Sequence, residues 1–232
     1  MHGIGTAESA LVGRTGEPLR GQVWYPTDKN STLLHRYDNF IAFDALDTPR
    51  PLCDRTRPVV AFSHGNQGLR WQSAFITERL ASHGFVVIAP DHTGNTTYDH
   101  EDERIPEILL RRPMDIIDTV DWLYRVGADA LRLSDCIDET DGYAVSGFSF
   151  GGYTATAVGG AAFDFEASMA HCEAVGGEWC EQIRTYIEDH PEYAAAPMTD
   201  DRVWASIPLA PTGFEVLGAG APLATAPAPW AL

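Results

Sequence analysis

The chain has 232 residues, 44% of them hydrophobic, which suits one α/β domain with a sizeable core. Its 16 Lys and Arg against 33 Asp and Glu give a formal charge of -17, which repels phosphate backbones and anionic lipid surfaces. Nucleic-acid and membrane-surface roles are therefore set aside, and no apolar run approaches the length of a membrane span. Met1 to Gly5 lacks the basic and apolar regions of an export signal, so the compartment stays open. A periplasmic or extracellular protein is favoured if a signal has been removed, a cytoplasmic one otherwise. The four cysteines, Cys53, Cys136, Cys172 and Cys180, match no metal-ligand spacing. Cys172 and Cys180 are close enough in sequence to close a small disulfide loop, and buried free thiols are the equal alternative.

The first expected elements are a strand pair, Ser9 to Val12 and Gly21 to Tyr25. A long polar loop follows, and with Pro49, Pro51 and Pro58 as breakers the stretch up to Pro58 is expected to be surface structure. Val59 to Phe62 is a continuous apolar run, the pattern of a strand buried on both faces, and it ends in Ser63-His64-Gly65-Asn66-Gln67-Gly68. Trp71 to Ser82 reads as a helix with Trp71, Phe75, Ile76 and Leu80 inward, closed by Gly84. Phe85 to Ala89 is another buried strand, ending in Pro90-Asp91-His92-Thr93-Gly94. The run Asp99 to Glu103 reads as a solvated loop rather than a metal site. Pro113 is expected to open a helix through Val126, with Asp115 in its first turn.

From Tyr143 a short apolar strand is expected to run into Gly147-Phe148-Ser149-Phe150-Gly151, a G-x-S-x-G sequence followed by a helix rich in small residues. Such a turn presents a serine hydroxyl clear of the sheet, so Ser149 is the candidate nucleophile. The alternation of strand and helix predicts an α/β fold: a doubly wound, mainly parallel sheet with helices on both faces. The whole of 1–232 is read as one domain. Its insertion at 163–200 is read as a cap over the site, since long insertions in compact domains tend to be functional. Val203 to Leu209 is the last expected strand.

The combination of Trp24-Tyr25-Pro26, Phe62-Ser63-His64-Gly65, Ala89-Pro90-Asp91-His92, Arg112-Pro113-x-Asp115 and Gly147-Phe148-Ser149-Phe150-Gly151-Gly152 resembles bacterial dienelactone-hydrolase-like proteins. These are α/β-hydrolases related to the platelet-activating-factor acetylhydrolases, and the resemblance runs from about residue 10 to about residue 217. It implies a serine carboxylesterase, without cofactor or metal, acting on small or accessible esters and on polyester chains if the cap is open. Ser149 would form an acyl-enzyme, and the backbone N–H groups of Asn66 and Phe150 would stabilise the oxyanion. True dienelactone hydrolases differ in having a cysteine nucleophile.

The resemblance breaks near the C-terminus. No histidine follows His190, Ala210-Pro211-Thr212 offers no carboxylate, and the Ala/Pro-rich tail contains no strand. The sequence reads as a family member cut short or shifted out of frame, whose fold is incomplete. Val203 to Leu209 would then be an exposed edge open to self-association or covered by the tail. His92 is the best-placed substitute base, although Asp91 beside it would point elsewhere. His171 and His190 lie in the insertion, and His64 is read as shaping the oxyanion loop. The alternative function is a hydrolase-fold binding or assembly protein without catalysis. A third reading, acyl transfer, shares the nucleophile.

Overall fold

The structure is a computed structural model that describes residues 1–28, 34–38, 40–161, 170, 173–174, 178–191 and 198–212. Eight strands form one sheet in the order β3-β4-β1-β2-β6-β5-β7-β8. They are β1 (Gly3–Val12), β2 (Pro18–Thr27), β3 (Leu34–Tyr37), β4 (Phe40–Asp47), β5 (Val59–Ser63), β6 (Val86–Pro90), β7 (Tyr143–Phe148) and β8 (Val203–Leu209). From β6 to β8 every neighbour is parallel, whereas β1 with β2, β2 with β6 and β3 with β4 are antiparallel. The α-helices are α1 (Ala74–Ser82), α2 (Ile105–Trp122), a single turn α3 (Ala128–Ala130), α4 (Phe150–Val158) and α5 (Glu178–Asp189), with shorter helical turns at Asp102–Arg104, Leu123–Gly127 and Glu139–Asp141.

Successive side chains of a strand point to opposite faces, and β5 shows why its run is apolar throughout. Val59 and Ala61 pack with Ile116, Val120 and Val158 on the α2 and α4 face. Val60 and Phe62 pack with Ala74 and Ala81 on the α1 face. The sheet is thus covered on both sides, as the alternation of elements predicts.

Three expectations need correction. The stretch read as surface loop contains β3 and β4. Their register depends on Glu78 of α1, whose buried carboxylate accepts the N–H groups of Phe43, Asp44 and Ala45 and the Tyr37 hydroxyl. Helix α1 begins at Ala74 rather than Trp71, and Phe75 faces solvent at 62% exposure while Ala74, Thr77, Glu78 and Ala81 are buried. Helix α2 begins at Ile105 and carries Pro113 in its interior. A proline there leaves the carbonyl four residues earlier without its N–H. That carbonyl, Leu109, accepts the Tyr153 hydroxyl of α4 at 3.1 Å, so tertiary packing makes good the missing bond.

Cys53 and Cys136 are paired as a disulfide, a pairing that the sequence reading did not offer. The bridge joins the segment before β5 to the segment before β7. Closing 83 residues of chain contributes on the order of 4 kcal/mol by loop entropy. The Cys172 and Cys180 pairing, most of the 163–200 cap and the Ala/Pro tail lie outside the described residues. The described helix of the insertion, α5, sets Ile183 and Ile187 against Ile108 and Leu109 of α2 and Phe150 and Tyr153 of α4.

Candidate active site

Ser149 lies between β7 and α4 at φ 56° and ψ -115°. A non-glycine residue with positive φ costs of order 1–3 kcal/mol and persists only where its surroundings fix it. Here they do. The Ser149 N–H donates to the Leu209 carbonyl at 2.9 Å, and the Ser149 carbonyl accepts from Gly152 at 2.8 Å and Thr212 at 3.3 Å. Gly147 and Gly151 are required by close approach: a Cβ on either would collide with the Ser63 carbonyl. The β7–α4 turn therefore sits hard against the carboxyl end of β5. Ser149 is partly exposed, and among the described residues its hydroxyl has no hydrogen-bond partner.

The loop after β5 approaches the same turn. The site of a Cβ on Gly65 lies 3.4 Å from the Phe148 carbonyl, and the Gly65 N–H is held by Gln72 Oε1 at 3.0 Å. Asn66 follows, with an exposed side chain. Phe150 is the first residue of α4, buried, with the Arg112 guanidinium 4.5 Å above its ring. Among the described residues, neither the Asn66 nor the Phe150 N–H donates to a protein acceptor.

Beneath this surface lies a polar network that sequence reasoning missed. The Ser63 hydroxyl is 2.9 Å from His92 Nε2, and His92 Nδ1 is 2.9 Å from Asp115 Oδ2. Arg112 Nη2 donates to Ser63 Oγ at 3.0 Å, which leaves the hydroxyl proton for His92 Nε2. His92 then carries its proton on Nδ1 and donates it to Asp115. The geometry is that of a serine–histidine–aspartate chain, but Ser63 and His92 are 0% exposed and Asp115 1%. Burial pushes His92 well below the usual histidine range, with the charges of Arg112 and Arg111 adding to the effect, and pushes Asp115 up to about 7.

Arg112 links the network to the surface. Besides Ser63 it donates to the His64 carbonyl, to Thr154 Oγ1 at 3.1 Å and to Asn95 Oδ1. Asn95 Nδ2 in turn donates to Asn66 Oδ1 at 2.7 Å. A continuous chain of bonds thus runs from Asp115 in the core to the side chain of Asn66. Burial brings Arg112 down to about 9, which leaves it charged at neutral pH.

His64 does shape the loop. Its Nδ1–H donates to the Gly65 carbonyl at 2.7 Å and its Nε2 accepts the His92 N–H at 3.1 Å, while burial lowers it to about 3. Asp91 and His92 point apart: Asp91 pairs with Arg70 at 2.7 Å. Both ring nitrogens of His92 are engaged away from Ser149, and the structure forms no Ser149–His92 bond. His190 is exposed and packs on Tyr186, and His171 is outside the described residues. A carboxylate at Asp115, among the apolar positions Ile116, Ile117 and Val120, was the available signal: on an inward helix face it demands a partner.

Among the described residues no group of three or more His, Cys, Asp or Glu is placed to hold a metal ion, and no helix is long and apolar enough to cross a membrane.

Residues 45–111 match the family described as platelet-activating factor acetylhydrolase, isoform II. Among solved structures, the chain is similar to a ferulic acid esterase from Streptomyces cinnamoneus at 19% identity and TM-score 0.54, over 89% of this chain and 58% of that one. It is more distantly similar to a Klebsiella pneumoniae protein described as a dienelactone hydrolase, at 15% identity and TM-score 0.45, over 90% and 60% of the two chains. The chain therefore spans less than two thirds of the length of either. No curated protein matches it in sequence.

Proposed function

We propose, from the premise that the chain is an α/β-hydrolase by fold, that it is a serine carboxylesterase with Ser149 as nucleophile. The observation that carries this reading is the backbone of Ser149, held at positive φ by glycine contacts and by Leu209 and Thr212. Strain of that kind, at a partly exposed serine on a strand-to-helix turn, supports a nucleophile elbow. Ser149 Oγ attacks the ester carbonyl carbon, the alcohol leaves, and water cleaves the acyl-enzyme. The N–H groups of Asn66 and Phe150 are assigned to the oxyanion, where each donor typically contributes about 3 kcal/mol. The network from Asp115 through Arg112 and Asn95 holds Asn66 in place. Small or accessible carboxylic esters are the substrate class, with polyesters included if the cap is open. The Cys53–Cys136 disulfide favours an oxidising compartment.

With no base bonded to Ser149 among the described residues, activity on unactivated esters is expected to be very low. Oxyanion stabilisation and binding alone retain about 10³ to 10⁴ over water. Nitrophenyl acetate, with its good leaving group, is the substrate to test. Weak hydrolysis lost in Ser149→Ala supports the reading, and a rate untouched by Ser149→Ala overturns it. Full esterase rates that survive His92→Ala would place the base elsewhere. The second reading, a binding or assembly protein, is favoured by one observation: the described His–Asp pair serves a buried serine. Self-association through the β8 edge, where Trp204 is 42% and Ile207 38% exposed, belongs with either reading.

A further inference from the structure

Beside the loop that carries Asn66, β4 and α1 leave aromatic rings in water. Phe40 is 50% exposed, Phe43 54%, Phe75 62% and Tyr98 70%. With Trp71 they line an open groove of about 420 Å³ in which no lining side chain carries a charge. Contiguous apolar surface of this kind marks a binding site more often than a scatter of single exposed residues does.

The floor is built, not incidental. The Phe40 ring lies 9° from parallel to Trp71 at 6.5 Å and meets Phe43 edge-on at 5.9 Å. Trp71 stacks on Tyr37 at 6.0 Å, and the Tyr37 hydroxyl is fixed by Trp24 and Glu78. Tyr98 also lines the groove, and its hydroxyl donates to Asp38 at 3.0 Å.

The candidate oxyanion loop lines the same groove. Gln67 and Gly68, directly after Asn66, line the groove, and so does Gln72, the residue that holds the Gly65 N–H. The groove therefore begins one residue from an N–H assigned to the oxyanion. The uncharged lining suits a neutral apolar group.

We infer that this groove binds the apolar part of the ester, an aromatic ring or an alkyl chain, while the carbonyl lies at Ser149. The inference rests on the esterase reading for its role in catalysis, but binding can be measured without turnover. The neutral fluorophore N-phenyl-1-naphthylamine is titrated into Ser149→Ala, and into the same chain carrying Phe40→Ala or Phe75→Ala. Both aromatic positions are at least half exposed, and thermal unfolding confirms that the variants fold. The dissociation constant is expected to rise at least fivefold in each. With Ser149 intact, the ratio of kcat/KM for nitrophenyl octanoate to that for nitrophenyl acetate is expected to fall at least fivefold, through KM. No binding to the parent, or affinities within twofold of it in both variants, overturns the groove as a site. An active enzyme whose ester ratio does not move overturns its role in substrate choice. If the probe responds as expected while the parent chain cleaves neither ester, the groove stands and the serine-esterase reading falls.

Discussion

Two serines sit at the carboxyl ends of neighbouring parallel strands, Ser63 closing β5 and Ser149 following β7. Ser149 has strain and partial exposure, but no base among the described residues. Ser63 has a histidine oriented by an aspartate, but it is fully buried and bonded to Arg112. The parts that a hydrolytic triad combines are here divided between two places. The buried set is arranged for structure, because Arg112 uses it to fix the His64 carbonyl and Asn95. The exposed set has the access to solvent that the buried set lacks. Geometry resembling a triad is thus insufficient for assigning a nucleophile; access and backbone strain decide.

This contrast can be broken by stability measurements. The largest expected effect is at Arg112, whose removal leaves Ser63, the His64 carbonyl, Thr154 and Asn95 without a donor. Arg112→Met should cost about 3–5 kcal/mol in chemical unfolding, as for a broken buried charge network. A loss below about 1 kcal/mol would mean that water or rearrangement replaces the network. Ser63→Ala strips His92 Nε2 of its partner and should cost about 1–3 kcal/mol. No loss there would deny the hydroxyl its structural role.

The buried groups also predict a pH dependence. Burial lowers His64 to about 3 and His92 well below its ordinary value, and raises Asp115 to about 7. As pH falls below the ordinary histidine range, the unfolded chain takes up imidazole protons that the buried His64 and His92 resist. The folded chain holds one carboxyl proton that the unfolded chain lacks. The two histidines therefore weaken the fold as pH falls and Asp115 opposes them. With two groups against one, acidification through this range is expected to weaken the fold. Unfolding curves at pH 4.5, 5.5 and 6.5 would test the sign, and stability that rose on acidification would contradict it.

The smallest effect is the sharpest in sign. Ser149→Gly relieves positive φ and should stabilise the fold by up to about 1 kcal/mol, opposite to Ser63→Ala, while removing the proposed nucleophile. Destabilisation by Ser149→Gly would show that the turn stores no strain.

What could be read from the sequence follows the range of the interactions. The β7–α4 turn was legible because glycines at 147 and 151 are demanded within a few residues of Ser149. The buried strands β5 and β6 were legible because apolar runs of that length admit few alternatives. The Ser63–His92–Asp115 chain was not, since its members lie 29 and 23 residues apart and meet only once the sheet has formed. β3 and β4 were missed because Glu78 of α1 secures their backbone and because Phe40 and Phe43 of β4 face outward. The start of α2 was misplaced because Pro113 reads as a boundary until Tyr153 is seen to cover Leu109.

The most direct test of the account asks which serine is acylated. The chain is mixed with nitrophenyl acetate, quenched in acid before the slow hydrolysis of the acyl-enzyme, digested and mapped by mass spectrometry. The account predicts one acetyl group on the peptide containing Ser149 and none on that containing Ser63. An acetyl group on Ser63, or none on either serine, would contradict it.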